Sequence, residues 1–169
     1  MKFIIPFFIL SALLISGCSG ESAEDLMKAA RQNIDQQKYI EAAPLLEKLV
    51  AEFPENELAP TALYDLANLY QKRNLTDLTE KQALVKASEL FKKVYDDYPS
   101  SKEAAYSLFM AGFIKANEPI SEYKDATELY NLFIEKFPNH EMVSSAKAEL
   151  KFMGIPADQI ITDTTLTRK

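Results

Sequence analysis

Three stretches of the chain share one spacing of apolar residues. The first is Tyr39, Ala42, Leu46, Leu49 and Pro54; the second is Leu84, Ala87, Phe91, Val94 and Pro99; the third is Tyr123, Ala126, Tyr130, Phe133 and Pro138. Steps of three and four residues place the first four members on one helix face. An aromatic residue precedes each proline (Phe53, Tyr98, Phe137), and the proline prevents the helix from continuing. Upstream of each stretch lies a second helical pattern: Leu26-x-x-Ala29-Ala30-x-x-Asn33, Leu63-x-x-Leu66-Ala67-x-x-Tyr70 and Leu108-x-x-Ala111-Gly112-x-x-Lys115. Ala30, Ala67 and Gly112 hold matching positions, where a small side chain lets two helix backbones approach. The spacing predicts an all-α chain of three helical hairpins in which each organising stretch is the second helix. A repeated apolar face implies a stack of similar units, hence a scaffold that binds something.

Punctuation divides the chain the same way. Thr79-x-x-Gln82 and Ser100-x-x-Glu103 read as capping boxes, and Ser22-x-x-Asp25 and Asn139 as further N-caps. Gly154 followed by Pro156 ends the last helix. Pro44 fits only if its helix starts near Ala42 or Ala43; otherwise it should kink it. A helix from about Asn139 to Met153 carries Val143, Ala146, Leu150 and Met153 on one face and Lys147, Glu149 and Lys151 elsewhere. It reads as the first half of a fourth unit, serving as a polar cap on the stack. Residues 155–169 are rich in Thr and Asp, lack helical period and read as a flexible tail, although Ile155, Ile160, Ile161 and Leu166 leave a docked segment open.

Composition narrows the function classes. The 169 residues are 47% hydrophobic and 26% charged with only four glycines, which suits a helical protein and argues against disorder. The net charge of −6 is spread along the chain, so the basic footprint of a nucleic-acid binder is absent. One cysteine rules out an internal disulfide framework, and one histidine argues against a zinc site. No phosphate loop, nucleophile elbow or metal-ligand spacing occurs. His140 reads as a turn or capping residue, and the carboxylate pairs Asp96-Asp97 and Glu55/Glu57 as solvated charge. The expectation is a non-enzyme without metal or cofactor.

The N-terminus has its own grammar. Lys2 precedes an apolar run from Phe3 to Ile15, too short to span a bilayer comfortably but the length of a signal-peptide core. It leads into Leu14-Ile15-Ser16-Gly17-Cys18. This resembles the bacterial lipobox, with two small residues before a cysteine whose thiol accepts the lipid. The plainer alternatives are an ordinary signal peptide or a membrane anchor with an incidental cysteine. The resemblance implies residues 1–17 as a lipoprotein signal peptide, 18–21 as a lipidated tether with Cys18 acylated, 22–154 as the helical stack and 155–169 as the tail. Two or three acyl chains anchor a protein stably. Ser19, where aspartate would signal inner-membrane retention, implies the outer membrane and its periplasmic face.

Together the two helical patterns resemble the tetratricopeptide repeat, with W-x2-L-G-x2-Y on the first helix and A-x3-F and P on the second. Departures are the missing tryptophan, Asn33 and Lys115 in place of tyrosine, and intervals of 45 and 39 residues between Ala42, Ala87 and Ala126. The excess falls in the connections after each proline and in a loop from Arg73 to Glu80. The family's fold implies a right-handed superhelix of three hairpins with a C-terminal capping helix. Its first helices line a concave groove, and the resemblance assigns to that groove Met27 and Arg31, then Tyr64, Asn68 and Lys72, then Tyr106, Phe109 and Phe113. These aromatics either pack on neighbouring elements or anchor a helix or extended peptide of a partner. Lipobox and lengthened repeats together are similar to the lipoprotein of the machinery that inserts outer-membrane β-barrels, and to the repeat domain associated with the Tol–Pal system. They imply a periplasmic adaptor that binds another envelope protein or peptide segment, with no nucleic acid and no metal. The rival readings are an accessory subunit or enzyme acting on peptidoglycan or peptides, a regulatory subunit of a cell-division, pilus or secretion complex, and a spacer that oligomerises through the groove.

Overall fold

The computed structural model describes residues 20–75, 78–156 and 159. The proposed signal segment, Cys18 and most of the tail lie outside these residues. Seven helices follow in order: α1 (Ala23–Asp35), α2 (Tyr39–Glu52), α3 (Ala59–Gln71), α4 (Glu80–Asp97), α5 (Ala104–Ala116), α6 (Tyr123–Lys136) and α7 (Val143–Phe152). No strand occurs among the described residues. Each helix packs chiefly on its neighbours in sequence, so the architecture is a linear array of tetratricopeptide-like hairpins, α1–α2, α3–α4 and α5–α6, with α7 at the end. The sequence expectation of an all-helical stack of three hairpins plus a closing helix is met.

The periodic positions form the core. Ala42, Ala87 and Ala126 are fully buried, as are Leu46, Phe91 and Tyr130, and Leu49, Val94 and Phe133. On the first helices Ala30 and Ala67 are likewise fully buried. Gly112 lies so close to Tyr130 that a Cβ there would stand 3.2 Å from the Tyr130 ring. The position that opens each stretch behaves differently: Tyr39 and Leu84 are half-buried, and Tyr123 is exposed.

Between hairpins the chain uses one connector three times, residues 53–58, 98–103 and 137–142. Each opens on the pre-proline aromatic in nearly the same conformation: Phe53 at φ −129, ψ 52; Tyr98 at φ −131, ψ 57; Phe137 at φ −128, ψ 55. Each repeats the same backbone hydrogen bonds. Phe53 donates to Leu49, Asn56 to Phe53, and Ala59 to Asn56; Tyr98, Ser101 and Ala104 do likewise, as do Phe137, His140 and Val143. This connector corrects two expected helix starts. Ser100 and Glu103 make no capping box, because Glu103 is itself the residue before α5 and has no side-chain cap. Asn139 is no N-cap, because α7 begins at Val143. In both, the residues that read as a helix start are spent on two successive turns. The expected box at Thr79/Gln82 is present with both reciprocal bonds, and Ser22, expected as an N-cap, forms a full box with Asp25.

The opposite rim is irregular. α1 and α3 both end in a Schellman arrangement: Gln37 and Arg73 adopt φ 59 and φ 57, while Lys38 donates to Asn33 and Asn74 to Leu69. After α3 the chain runs on to Thr79, and α4 has 18 residues against 14 in α2 and α6. Pro44 sits well inside α2, which starts at Tyr39 rather than near Ala42. The carbonyl it leaves without an N–H belongs to Ile40, which is 61% exposed, so solvent can take that place. Lys115, at a position the family gives to tyrosine, compensates by charge. Its side chain is 17% exposed and its ammonium meets the carboxylates of Glu122 and Asp125, the latter at 3.8 Å. This ties the end of α5 to the start of α6.

The hydroxyl of Tyr130 is buried without a hydrogen-bond partner among the described residues. Burial pushes its pKa far above the ordinary phenol value, with the nearby charge of Glu149 acting in the same sense. A buried donor left unpaired costs about 1–3 kcal/mol. Tyr130→Phe should therefore raise stability by about 1 kcal/mol in urea titrations, with no loss of helicity by circular dichroism.

Candidate functional site

The candidate surface implied by the repeat resemblance lies on α1, α3 and α5. Of its eight expected residues, two belong to the core. Met27 is 3% exposed and Phe109 is 6% exposed. The Phe109 ring lies 5.5 Å from that of Tyr130 and 5.7 Å from that of Phe133, which makes it the plug between α5 and α6 rather than a free anchor. Tyr106 and Phe113 remain at the surface, 39% and 36% exposed. Phe113 stacks on Phe109 with ring centroids 6.4 Å apart. Tyr106 meets Tyr64 of α3 edge-on at 6.0 Å, and Tyr64 meets Phe91 at 5.8 Å. The third hairpin thus presents two aromatic faces rooted in the core, and the second adds a third ring.

α5 explains this presentation. Ten of its thirteen residues are buried. Its remaining side chains include Tyr106 and Phe113, so the helix is apolar almost all round. A helix with no polar side needs cover on every side.

The first and second hairpins are more polar. A cavity of about 340 Å3 opens between them, lined by Ile34, Tyr39, Tyr64, Asp65, Asn68 and Lys72, among others. Asn68 is partly committed, since its Nδ2 donates to the Tyr64 carbonyl at 2.9 Å. Arg31 and Lys72 are exposed, and neither makes an ion pair among the described residues. The reading by repeat position brings Tyr64, Asn68 and Lys72 to one cavity and Tyr64 to Tyr106, but leaves Met27 out of the surface.

Sequence reasoning missed the carboxylates here. Asp65 is half-buried beside Tyr64. Burial raises its pKa above the usual aspartate range; Arg31, Lys102 and Lys72 oppose that shift, while Glu103 adds to it. Glu103, itself buried, accepts a hydrogen bond from Thr61 Oγ1 at 2.5 Å and links α3 to α5. Burial also raises the Tyr64 phenol. The missing signal is adjacency: Asp65 follows Tyr64 directly, and Thr61 lies one turn before it on the same helix side.

The remaining candidates for chemistry resolve as structure or solvated charge. His140 Nδ1 accepts the Met142 N–H at 3.2 Å while its ring meets Phe133 edge-on. Asn56 does the same for Leu58 in the first connector. Asp96 and Asp97 pair with Lys92 and Lys93 one turn earlier on α4. Among the described residues no group of three metal-ligating side chains occurs, and no helix is long and apolar enough to cross a membrane.

No family model matches the chain. Among curated proteins, it is similar to the outer membrane protein assembly factor BamD of Pasteurella multocida (strain Pm70), 24% identical over 169 residues, covering 87% of this chain and 62% of that protein. It is also similar to the BamD of Neisseria meningitidis serogroup A / serotype 4A, 26% identical over 145 residues, covering 76% of this chain and 51% of that protein. The two matches are weak and mutually consistent, and they agree with the barrel-assembly resemblance read from the sequence. The chain spans between half and two thirds of the length of these relatives.

Because burial raises the folded pKa of Asp65, its ionised form is a cost to the fold at neutral pH. That cost is absent below the ordinary aspartate pKa of about 3.9 and grows as pH rises through the raised value. Asp65→Asn should therefore melt at higher temperature than the parent at pH 7, and the difference should close as pH falls toward 4, measured by calorimetry at both pH values.

Proposed function

We propose that this chain is an outer-membrane-anchored adaptor facing the periplasm, held by lipid on Cys18, that captures a segment of another envelope protein during outer-membrane protein assembly. The observation that carries the binding role is the aromatic face of α5. Tyr106 and Phe113 stand at the surface of a helix whose other sides are already saturated by core. Similarity to two outer membrane protein assembly factors supports the setting. The surface is graded. Rings dominate at the third hairpin, and Asp65, Asn68, Lys72 and Arg31 dominate toward the first. A matching ligand segment carries aromatic or large aliphatic side chains at one end and hydrogen-bonding or charged groups at the other. No step of bond making is required. The lipid confines the stack to a surface and so raises the effective concentration of membrane-bound partners.

Photo-crosslinking residues placed at 106 and 113 in native membranes should trap one discrete envelope protein, while the same label at Glu128 on α6 should not. A common adduct from all three sites, or none, would overturn the groove assignment. Tyr106→Ala combined with Phe113→Ala should abolish that adduct from a label at position 64 with helicity intact, whereas Phe109→Ala should cost about 3–5 kcal/mol of stability.

Anchoring has its own readout. Cys18→Ser should move the protein from the membrane to the soluble fraction on cell fractionation; retention in the membrane would mean the anchor is not the acylated thiol.

A further inference from the structure

The cavity between the first and second hairpins offers two acceptors that the fold leaves without donors. The Asp65 carboxylate, in its wall, makes neither a hydrogen bond nor an ion pair among the described residues. Asn68 spends its Nδ2 on the Tyr64 carbonyl at 2.9 Å, and its Oδ1 receives no hydrogen bond among the described residues. Beside these acceptors the wall carries the rings of Tyr39 and Tyr64, both half-buried.

A half-buried carboxylate without a donor is unfavourable. Three cations stand around Asp65, and none forms an ion pair with it: Arg31 on α1, Lys102 just before α5, and Lys72 at the end of α3. All three are exposed, and water screens exposed charge. Glu103, the residue before α5, adds a second negative charge from the other side. Burial therefore holds the Asp65 carboxyl above the usual aspartate range. What the site lacks is a donor that lies as deep as the carboxylate itself.

The size of the cavity limits what can bring one. Its volume of about 340 Å3 is at the small end for ligand pockets, which run from about 300 to 1,000 Å3. That suits one long side chain rather than a folded ligand. A guanidinium carries five N–H donors in one plane, binds carboxylates bidentately and stacks on aromatic rings. It is also less strongly hydrated than an ammonium, so it enters a half-buried site more readily. The chain's net charge of −6 favours the approach of a basic segment.

Resting on the groove reading above, we propose that this cavity is a subsite for an arginine side chain of the captured segment, with the guanidinium on Asp65 and the Asn68 Oδ1 and its plane against the rings of Tyr39 and Tyr64. The aromatic end of the segment then meets Tyr106 and Phe113, and the arginine fixes its direction along the stack. Asp65 persists at a cost to the fold because the ligand supplies the donors that the fold withholds.

The test uses the full-length protein in detergent and two small probes, N-acetyl-arginine methylamide and its citrulline counterpart, which has a similar shape and no charge. Backbone amide NMR signals of residues 64–68 report binding. The arginine probe should shift them saturably, and the citrulline probe should bind about tenfold more weakly, the loss expected when a charge-assisted bond becomes a neutral one. Asp65→Asn, expected to be the more stable protein, should remove the difference between the probes, whereas Lys72→Gln should not weaken arginine binding. Equal binding of the two probes to the parent, unchanged arginine binding in Asp65→Asn, or no saturable shift at all would overturn the subsite. A preference for N-acetyl-glutamate methylamide that is lost in Lys72→Gln would overturn it as well, by making the cavity a site for acidic groups. None of these outcomes bears on cross-linking at 106 and 113, so the arginine subsite and the groove reading fail separately.

Discussion

The third hairpin depends on the close approach of α5 to α6 at Gly112. A Cβ at 112 would stand 3.2 Å from the Tyr130 ring, so the absence of a Cβ and the size of the ring are two halves of one contact. Hairpins one and two solve the same problem with alanine: Ala30 and Ala67 are fully buried, and the corresponding second-helix residues are Leu46 and Phe91. Interiors packed to crystal density leave no slack for an added methyl group at such a site. Phe109 leans on the same ring and on Phe133, and Phe113 stacks on Phe109. The exposed aromatic surface is therefore oriented by the core contact beneath it.

The repeat register was legible because the second, third and fourth residues of each stretch are fully buried. Ala42, Leu46 and Leu49, and their equivalents, have no alternative environment that accepts three apolar side chains on one face. The connectors were not legible. A run such as Ser100-x-x-Glu103 has the composition of a capping box, and nothing in composition reveals that its backbone closes two turns first. The same applies to Asn139, whose neighbour His140 acts as a turn acceptor in the manner of Asn56. Site residues fell between these extremes. Position in the repeat located the right helices, yet it could not tell Phe109, drawn under by Tyr130 and Phe133, from Phe113 one turn on. Nor could it find Asp65 and Glu103, whose significance lies in burial and in a bond between two helices.

Lys115 shows how a departure from a repeat pattern can be absorbed. The family pattern fills that position with an aromatic ring; here an aliphatic stem fills part of the space and the charged tip ends at Glu122 and Asp125. Such a side chain covers apolar surface with its methylenes while its head stays near water. The exchange turns a packing contact into an electrostatic clasp between the end of one helix and the start of the next.

The three connectors after the prolines share backbone geometry to within a few degrees at their first residue, whereas the turns inside the hairpins differ in length. One rim of the stack therefore repeats the same turn, while the other rim varies in length. A cut at any of the three aromatic–proline junctions falls on the same backbone conformation, so a graft exchanged there joins matched chain ends.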